Sequence, residues 1–151
     1  MKILMVCIGN ICRSPMAEGI MENMIKKQDL PWSIDSAGTS FSHIGEAPHL
    51  FSQKVAQEHG INLSKQRARQ FKKEDLEKFD KIYAMEKDVY EDIIRMTNKP
   101  EEINKVDLLL NESYPDENKS VPDPWYGGEA GFHQAWKLIS DACNKIIEKY
   151  N

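Results

Sequence analysis

The stretch Ile3-Leu4-Met5-Val6-Cys7-Ile8-Gly9-Asn10-Ile11-Cys12-Arg13-Ser14-Pro15 decides how this chain folds. Four apolar residues lead into Cys7, as expected of a strand buried on both faces of a sheet, and we read residues 2–7 as that strand. From Pro15 onward Met16, Ile20, Met24 and Ile25 recur at helical spacing, which predicts a helix over 15–27. The loop between them reads C-x5-R-S. It brings a thiol and a guanidinium to a helix start, where backbone N–H groups lack partners. Gly9 allows close approach or a positive φ, and Asn10 tolerates left-handed backbone. Ile8, Gly9, Asn10, Ile11 and Cys12 can then curl their N–H groups around an anion. Arg13 can grip two of its oxygens with its fork. Pro15, in the first helical turn, removes no needed donor. The pattern implies chemistry on a phosphate ester with Cys7 as nucleophile. Only a thiolate attacks, and a helix start beside an Arg lowers a thiol pKa to roughly 3.5–7.5. Ser14 can give the sulfur a further hydrogen bond. A cysteine ending a strand can equally be a small core residue; Arg13-Ser14 at this spacing argues against that. The loop is not a Walker A, having neither the second Gly nor the Lys.

Working outward, strand-like and helix-like segments alternate. Strands are predicted at 32–36, 81–85 and 106–109, and helices at 48–60, 73–79, 87–97 and 131–150, with Ser36-Ala37-Gly38-Thr39 as a loop. This alternation specifies an α/β fold in a single domain, residues 1–151, with the phosphate-binding loop between strand 1 and helix 1. Residues 111–128 form a long polar loop, and such loops are often functional. Within it Asp123 lies between Pro122 and Pro124, which stiffen the backbone around its carboxyl. Sulfur attack expels an alkoxide or phenoxide that needs a proton, and Asp123 is the candidate acid. Trp125 and Tyr126 follow, suited to stacking on an aromatic substrate. Taken alone, the segment also reads as a rigid turn with an incidental Asp.

The bulk properties exclude several classes. At 151 residues, 40% hydrophobic and 29% charged, the chain suffices for one domain with a real core. No apolar run approaches the ~20 residues of a membrane span, and the N-terminus lacks the features of a signal peptide. We therefore expect a cytoplasmic protein with no membrane partner. A net charge of −4 argues against nucleic acid. Three cysteines, Cys7, Cys12 and Cys143, do not make a disulfide framework, and no second paired spacing supports zinc, so no metal is expected. His43, His49, His59 and His133 read as surface or capping residues. The run Lys65-Gln66-Arg67-Ala68-Arg69, with Lys72 and Lys73, reads as a solvated basic face. Trp32 and Trp136 read as packing residues.

The segments Val6–Pro15 and Asp123-Pro124-Trp125-Tyr126-Gly127 together resemble the low-molecular-weight protein tyrosine phosphatase family. Ser36-Ala37-Gly38-Thr39, Gly45-Glu46, Ala68-Arg69-Gln70 and Phe79-Asp80 lie between them in the family's order. The resemblance implies a four-stranded parallel sheet flanked by helices on both faces. It makes Cys7 the nucleophile that forms a phosphocysteine, Arg13 the phosphate clamp and Asp123 the proton donor, then the base for water. It also implies that Ser14 stabilises the thiolate, that Asn10 braces the loop, and that no cofactor is needed. Two positions depart from the pattern. Phe41 stands where many relatives have a pocket-wall Trp, and it is the candidate replacement. Gln66 stands where relatives often have a His supporting the loop.

The substrate implied is a tyrosine-phosphorylated protein or peptide, with inorganic phosphate as product and a monomer as the expected state. Protein phosphoarginine phosphatase is the alternative; such relatives tend to carry Thr where Ile11 offers an apolar lip for a phenyl ring. Arsenate reductase would need relay cysteines after the third strand, and residues 81–99 contain none. A non-enzymatic phosphotyrosine-binding module would not need both Cys7 and Asp123. Cys7 and Cys12, at opposite ends of one curled loop, suggest redox regulation through a mutual disulfide.

Overall fold

A computed structural model describes residues 1–151. The apolar run at the N-terminus forms β1 (Lys2–Cys7), which pairs with β2 (Ser33–Gly38) on one side and β3 (Lys81–Ala84) on the other; β4 (Val106–Leu108) lies beyond β3. All pairings are parallel and the order is β2-β1-β3-β4. The alternation of side chains along β1 explains why the run is apolar throughout. Ile3, Met5 and Cys7 face a core shared with α1 (Arg13–Lys27), α2 (Leu50–Glu58) and α6 (Gly128–Tyr150). Leu4 and Val6 face a second core built with α3 (Asp75–Lys78) and α4 (Lys87–Ile94). The sheet is thus covered on both faces, as expected.

Several boundaries differ from the sequence reading, each for a physical reason. β2 runs on through Ser36-Ala37-Gly38, which local propensity reads as loop. Gly38 is drawn into the sheet because its N–H donates to Arg69 O and its carbonyl accepts from Phe71 N–H. A Cβ there would stand 2.6 Å from Ile8 O and 3.0 Å from Asn10 N, so only glycine lets β2 approach the phosphate loop so closely. α6 begins at Gly128, three residues before the predicted start at 131, with Gly128 at φ +60° and the acidic Glu129 in the first turn. α5 (Pro100–Ile103) is a single turn opened by Pro100 and was not predicted. Along α6, Phe132, Ala135, Trp136, Ile139, Cys143 and Ile146 are buried, as their spacing indicates. No helix is long and apolar enough to cross a membrane.

Candidate active site

The loop after β1 closes around a cavity of about 270 Å³ whose walls include Cys7, Arg13 and Asp123, residues up to 116 positions apart in sequence. Cys7 is 2% exposed. Its Sγ accepts the Asn10 N–H at 3.2 Å and lies 3.0 Å from Ser14 Oγ. Counting donors narrows where the hydrogens lie. Asn10 Nδ2 gives one hydrogen to Ser14 Oγ at 2.8 Å and the other to Ser36 Oγ at 3.0 Å. Ser14 Oγ has two places for its own hydrogen, Cys7 Sγ at 3.0 Å and the more distant Ala37 O at 3.5 Å, while Ser36 turns its hydrogen to Glu18 Oε1 at 2.6 Å. The sulfur thus accepts the Asn10 N–H and has the Ser14 hydroxyl within reach as a second donor.

Asn10 holds this arrangement in left-handed backbone, φ +57°, with its Oδ1 accepting the Arg69 N–H at 3.0 Å. Asn10 and Ser14 are almost completely buried and do not line the cavity. The sequence reading counts both among the phosphate-binding residues as well as giving them supporting roles; they stand behind the loop, because the side chain of the left-handed Asn10 faces the interior between the loop and β2. The N–H groups of Ile8, Gly9, Ile11 and Cys12 donate to no protein acceptor. Such a set of free donors beside a helix start suits an anion.

Arg13 opens α1 and is 2% exposed. One terminal nitrogen donates to Val121 O at 2.8 Å; the other donates to Glu86 Oε1 at 2.7 Å and stands 3.9 Å from Asp123 Oδ2. Its Nε is buried without a partner, an unmet donor next to the cavity. Glu86 was missed by the sequence reading. It follows β3, 73 residues from Arg13, and no spacing signal links the two.

Asp123 caps the 3₁₀ turn Pro124–Tyr126 by accepting the Trp125 N–H at 3.0 Å, which fixes the carboxyl at the cavity edge. Trp125 and Tyr126 line the cavity and are 53% and 87% exposed, leaving apolar surface for a ligand to cover. Ile11 lines the cavity but is itself buried, so the apolar lip is Ile8, 42% exposed. Phe41 is corrected. It is 74% exposed and absent from the cavity wall, where Ser40, Ser42 and His43 stand. Ser40 N–H donates to Ile8 O and its hydroxyl to Ser42, and this turn throws Phe41 outward. His43, read as a surface residue, packs over Gly9 and pairs with Glu46 at 3.0 Å.

Arg69 is also corrected. Far from lying on a solvated face, its guanidinium is held between Asp35 and the buried Asp75 at 3.0–3.2 Å. Gln66 supports the loop region through its Nε2, which donates to Pro15 O at 3.1 Å, while its Oε1 stays buried without a partner. Burial, with the nearby Cys7 next in effect, pushes the Cys12 thiol up to about 12. Cys12 is therefore a neutral thiol at pH 7.

A cysteine, a buried arginine and a carboxylate thus surround a set of free loop donors. The family model for low molecular weight phosphotyrosine protein phosphatase matches residues 2–151. A low molecular weight protein-tyrosine-phosphatase of Synechocystis is 40% identical over 149 residues, covering 97% of this chain and 94% of the relative. The crystal structure of an Entamoeba histolytica protein tyrosine phosphatase with Hepes in its active site superposes with TM-score 0.91 at 35% identity, covering 99% and 96% of the two chains. That of a Drosophila arginine phosphatase superposes with TM-score 0.92 at 32% identity, covering 100% and 98%. The chain belongs to the low-molecular-weight phosphotyrosine protein phosphatase family.

Proposed function

We propose that the protein hydrolyses phosphotyrosine monoesters in proteins or peptides, with Cys7 as nucleophile. The observation that carries the reading is the enclosure of Cys7, Arg13 and Asp123 by one cavity with apolar side chains at its mouth. In the first step the Cys7 thiolate attacks phosphorus in line, the P–O bond to the phenol breaks, and the Asp123 carboxyl gives its proton to the departing oxygen. Arg13 and the free N–H groups of Ile8, Gly9, Ile11 and Cys12 hold the three non-bridging oxygens, whose charge must be balanced throughout. In the second step water attacks the phosphocysteine. The Asp123 carboxylate takes its proton, inorganic phosphate leaves and the thiolate returns, stabilised by the Ser14 hydroxyl. None of these steps needs a metal or cofactor.

The cavity mouth supports phosphotyrosine over phosphoserine, since a short serine stem cannot carry its phosphate past Ile8, Trp125 and Tyr126. The similarity to the Drosophila arginine phosphatase makes phosphoarginine the second reading. Initial rates on phosphotyrosine, phosphoserine and phosphoarginine peptides, with Cys7→Ser and Ile11→Thr in parallel, test both. We expect phosphotyrosine to be preferred, Cys7→Ser to bind but not turn over, and Ile11→Thr to gain on phosphoarginine. Cys7→Ser activity above about a thousandth of wild type, a loss under ~4 kcal/mol, would exclude Cys7 as nucleophile. Comparable rates on phosphoserine would exclude the deep-pocket account. The shared cavity of Cys7 and Cys12 further supports reversible oxidative inactivation, and the three unpaired cysteines support a reducing compartment such as the cytoplasm.

A further inference from the structure

His49 joins four parts of the molecule that must stay in register for the proposed chemistry. Its backbone N–H donates to Ile11 O of the phosphate loop at 2.8 Å. Its Nδ1 accepts the Phe51 N–H at 3.0 Å and so caps α2. Its ring stacks on Phe132 of α6, with centroids 4.9 Å apart at 27°, and presents an edge-on contact to Trp125 at 5.4 Å and 74°. Trp125 is the residue whose N–H fixes the Asp123 carboxyl.

We propose that His49 is a positioning residue for Asp123: its ring, clamped between the α2 cap and Phe132, is the rigid surface against which Trp125 sets the turn that aims the Asp123 carboxyl. The proposal rests on the reading of Asp123 as proton donor. Trp125 is half exposed and follows a loop that needs something to lean on. The His49 ring offers that support because one face is stacked on Phe132 and one nitrogen is already committed to the α2 cap. The cap requires an unprotonated Nδ1, and burial moves the His49 pKa below the ordinary histidine value, so the neutral ring persists at pH 7. An Asp or Asn at this position would cap α2 equally well but would offer Trp125 no ring. A cap alone therefore does not account for a histidine here.

The test separates cap from ring and both from overall folding. His49→Asn keeps a capping oxygen and loses the ring; His49→Phe keeps a ring and loses the cap. Each is assayed on 4-nitrophenyl phosphate, whose leaving group needs little protonation, and on phenyl phosphate, whose leaving group needs it fully. Inhibition by inorganic phosphate reports the state of the anion cradle. A positioned acid contributes ~10²–10⁴-fold, so a loosened one should cost about tenfold in kcat on phenyl phosphate. We expect that loss in His49→Asn, with less than a twofold change on 4-nitrophenyl phosphate and unchanged phosphate inhibition. His49→Phe should retain the wild-type ratio of the two substrates although it unfolds at lower urea. In the double variant with Asp123→Asn, the His49→Asn effect should vanish, since there is no acid left to aim. Equal losses on both substrates, or losses that multiply in the double variant, would overturn the proposal while leaving the proton donor intact. If Asp123→Asn itself shows no leaving-group dependence, the proton-donor reading falls and the positioning role with it.

Discussion

Replacing Asn10 measures how much of this site is held by one side chain. Three hydrogen bonds are removed in Asn10→Ala: those to Ser14 at 2.8 Å, Ser36 at 3.0 Å and from the Arg69 N–H at 3.0 Å. At about 1 kcal/mol net for each bond, the loss is about 3 kcal/mol. Bulk water cannot replace the partners, because Ser14 is 0% and Ser36 5% exposed. The backbone contributes separately. At φ +57° alanine is strained by about 1 kcal/mol where glycine is not, so Asn10→Ala should be less stable than Asn10→Gly by that amount. Both variants also release the Ser14 hydroxyl from the Asn10 amide, so it is held less firmly beside Cys7 Sγ. The kcat should therefore fall alike on good and poor leaving groups, unlike the selective effect of losing Asp123. Urea unfolding gives the stabilities, and rates on 4-nitrophenyl phosphate and phenyl phosphate give the chemistry. An Asn10→Ala protein within about 1 kcal/mol of wild type, or one more stable than Asn10→Gly, would refute the reasoning.

Three further outcomes are expected. Burial chiefly pushes the Glu18 carboxyl from 4.5 up to about 7, against the Ser36 hydrogen bond that lowers it. The folded state thus holds this proton more tightly than the unfolded chain, a contribution fully present below about pH 4.5 and lost as the pH rises to about 7; Glu18→Gln should gain on wild type over that window by about 1–2 kcal/mol, the side chain's partial exposure reducing the full effect, and parallel pH–stability curves from urea melts would contradict it. Mild peroxide should convert the Cys7 thiolate to a sulfenic acid, which Cys12 attacks as its thiol gives up its proton, water leaving and a disulfide reversible by dithiothreitol forming, slowly because Cys12 holds its proton tightly; peptide mapping that finds sulfinic acid at Cys7 with Cys12 free would exclude this. Phe41→Ala should leave KM for a phosphotyrosine peptide within about twofold of wild type, whereas Ile8→Ala should raise it severalfold, because Ile8, unlike Phe41, lines the cavity with apolar area that the substrate ring can cover.

What was legible in the sequence is what local physics encodes. β1 could be read because a strand buried on both faces is apolar throughout, and α6 because one helical face repeats every three to four residues. Cys7 and Arg13 could be read because the loop that joins them is short, so spacing in sequence is nearly spacing in space. Asp123 could be read because two prolines announce a fixed backbone. The rest of the site had no such signal. Glu86 holds Arg13 from 73 residues away, and Arg69 N–H holds Asn10 from 59. Arg69 was misread because a run of Lys and Arg resembles a solvated face wherever its counter-charges, here Asp35 and Asp75, lie in other elements. Phe41 was misread because aromatic character is visible in a sequence while the outward turn set by Ser40 and Ser42 is not. β2 was cut short because Ser36-Ala37-Gly38 has loop-like propensity that its tertiary contacts override.

The strand order explains why so many distant residues meet. From β1 the chain passes to β2 on one side, then returns across the sheet to β3 on the other. Connections leave in opposite directions at the carboxyl ends of β1 and β3, and this opens a crevice there. The loop after β1 supplies Cys7 and the free N–H groups to the crevice, and the turn after β3 supplies Glu86. Arg13 spans the gap between them, anchored to Glu86 on one side and to Val121 O on the other. That second anchor draws in the segment that carries Asp123 two residues later. The same guanidinium, with the Val121 N–H that donates to Met85 O at 2.7 Å, therefore ties the segment bearing the carboxyl to the loop bearing the sulfur. Arg13→Ala should remove the proposed anion ligand and also one of the two anchors of the segment bearing the proposed acid, so kcat/KM on phenyl phosphate should fall further than in Asn10→Ala; a smaller fall would contradict the double role.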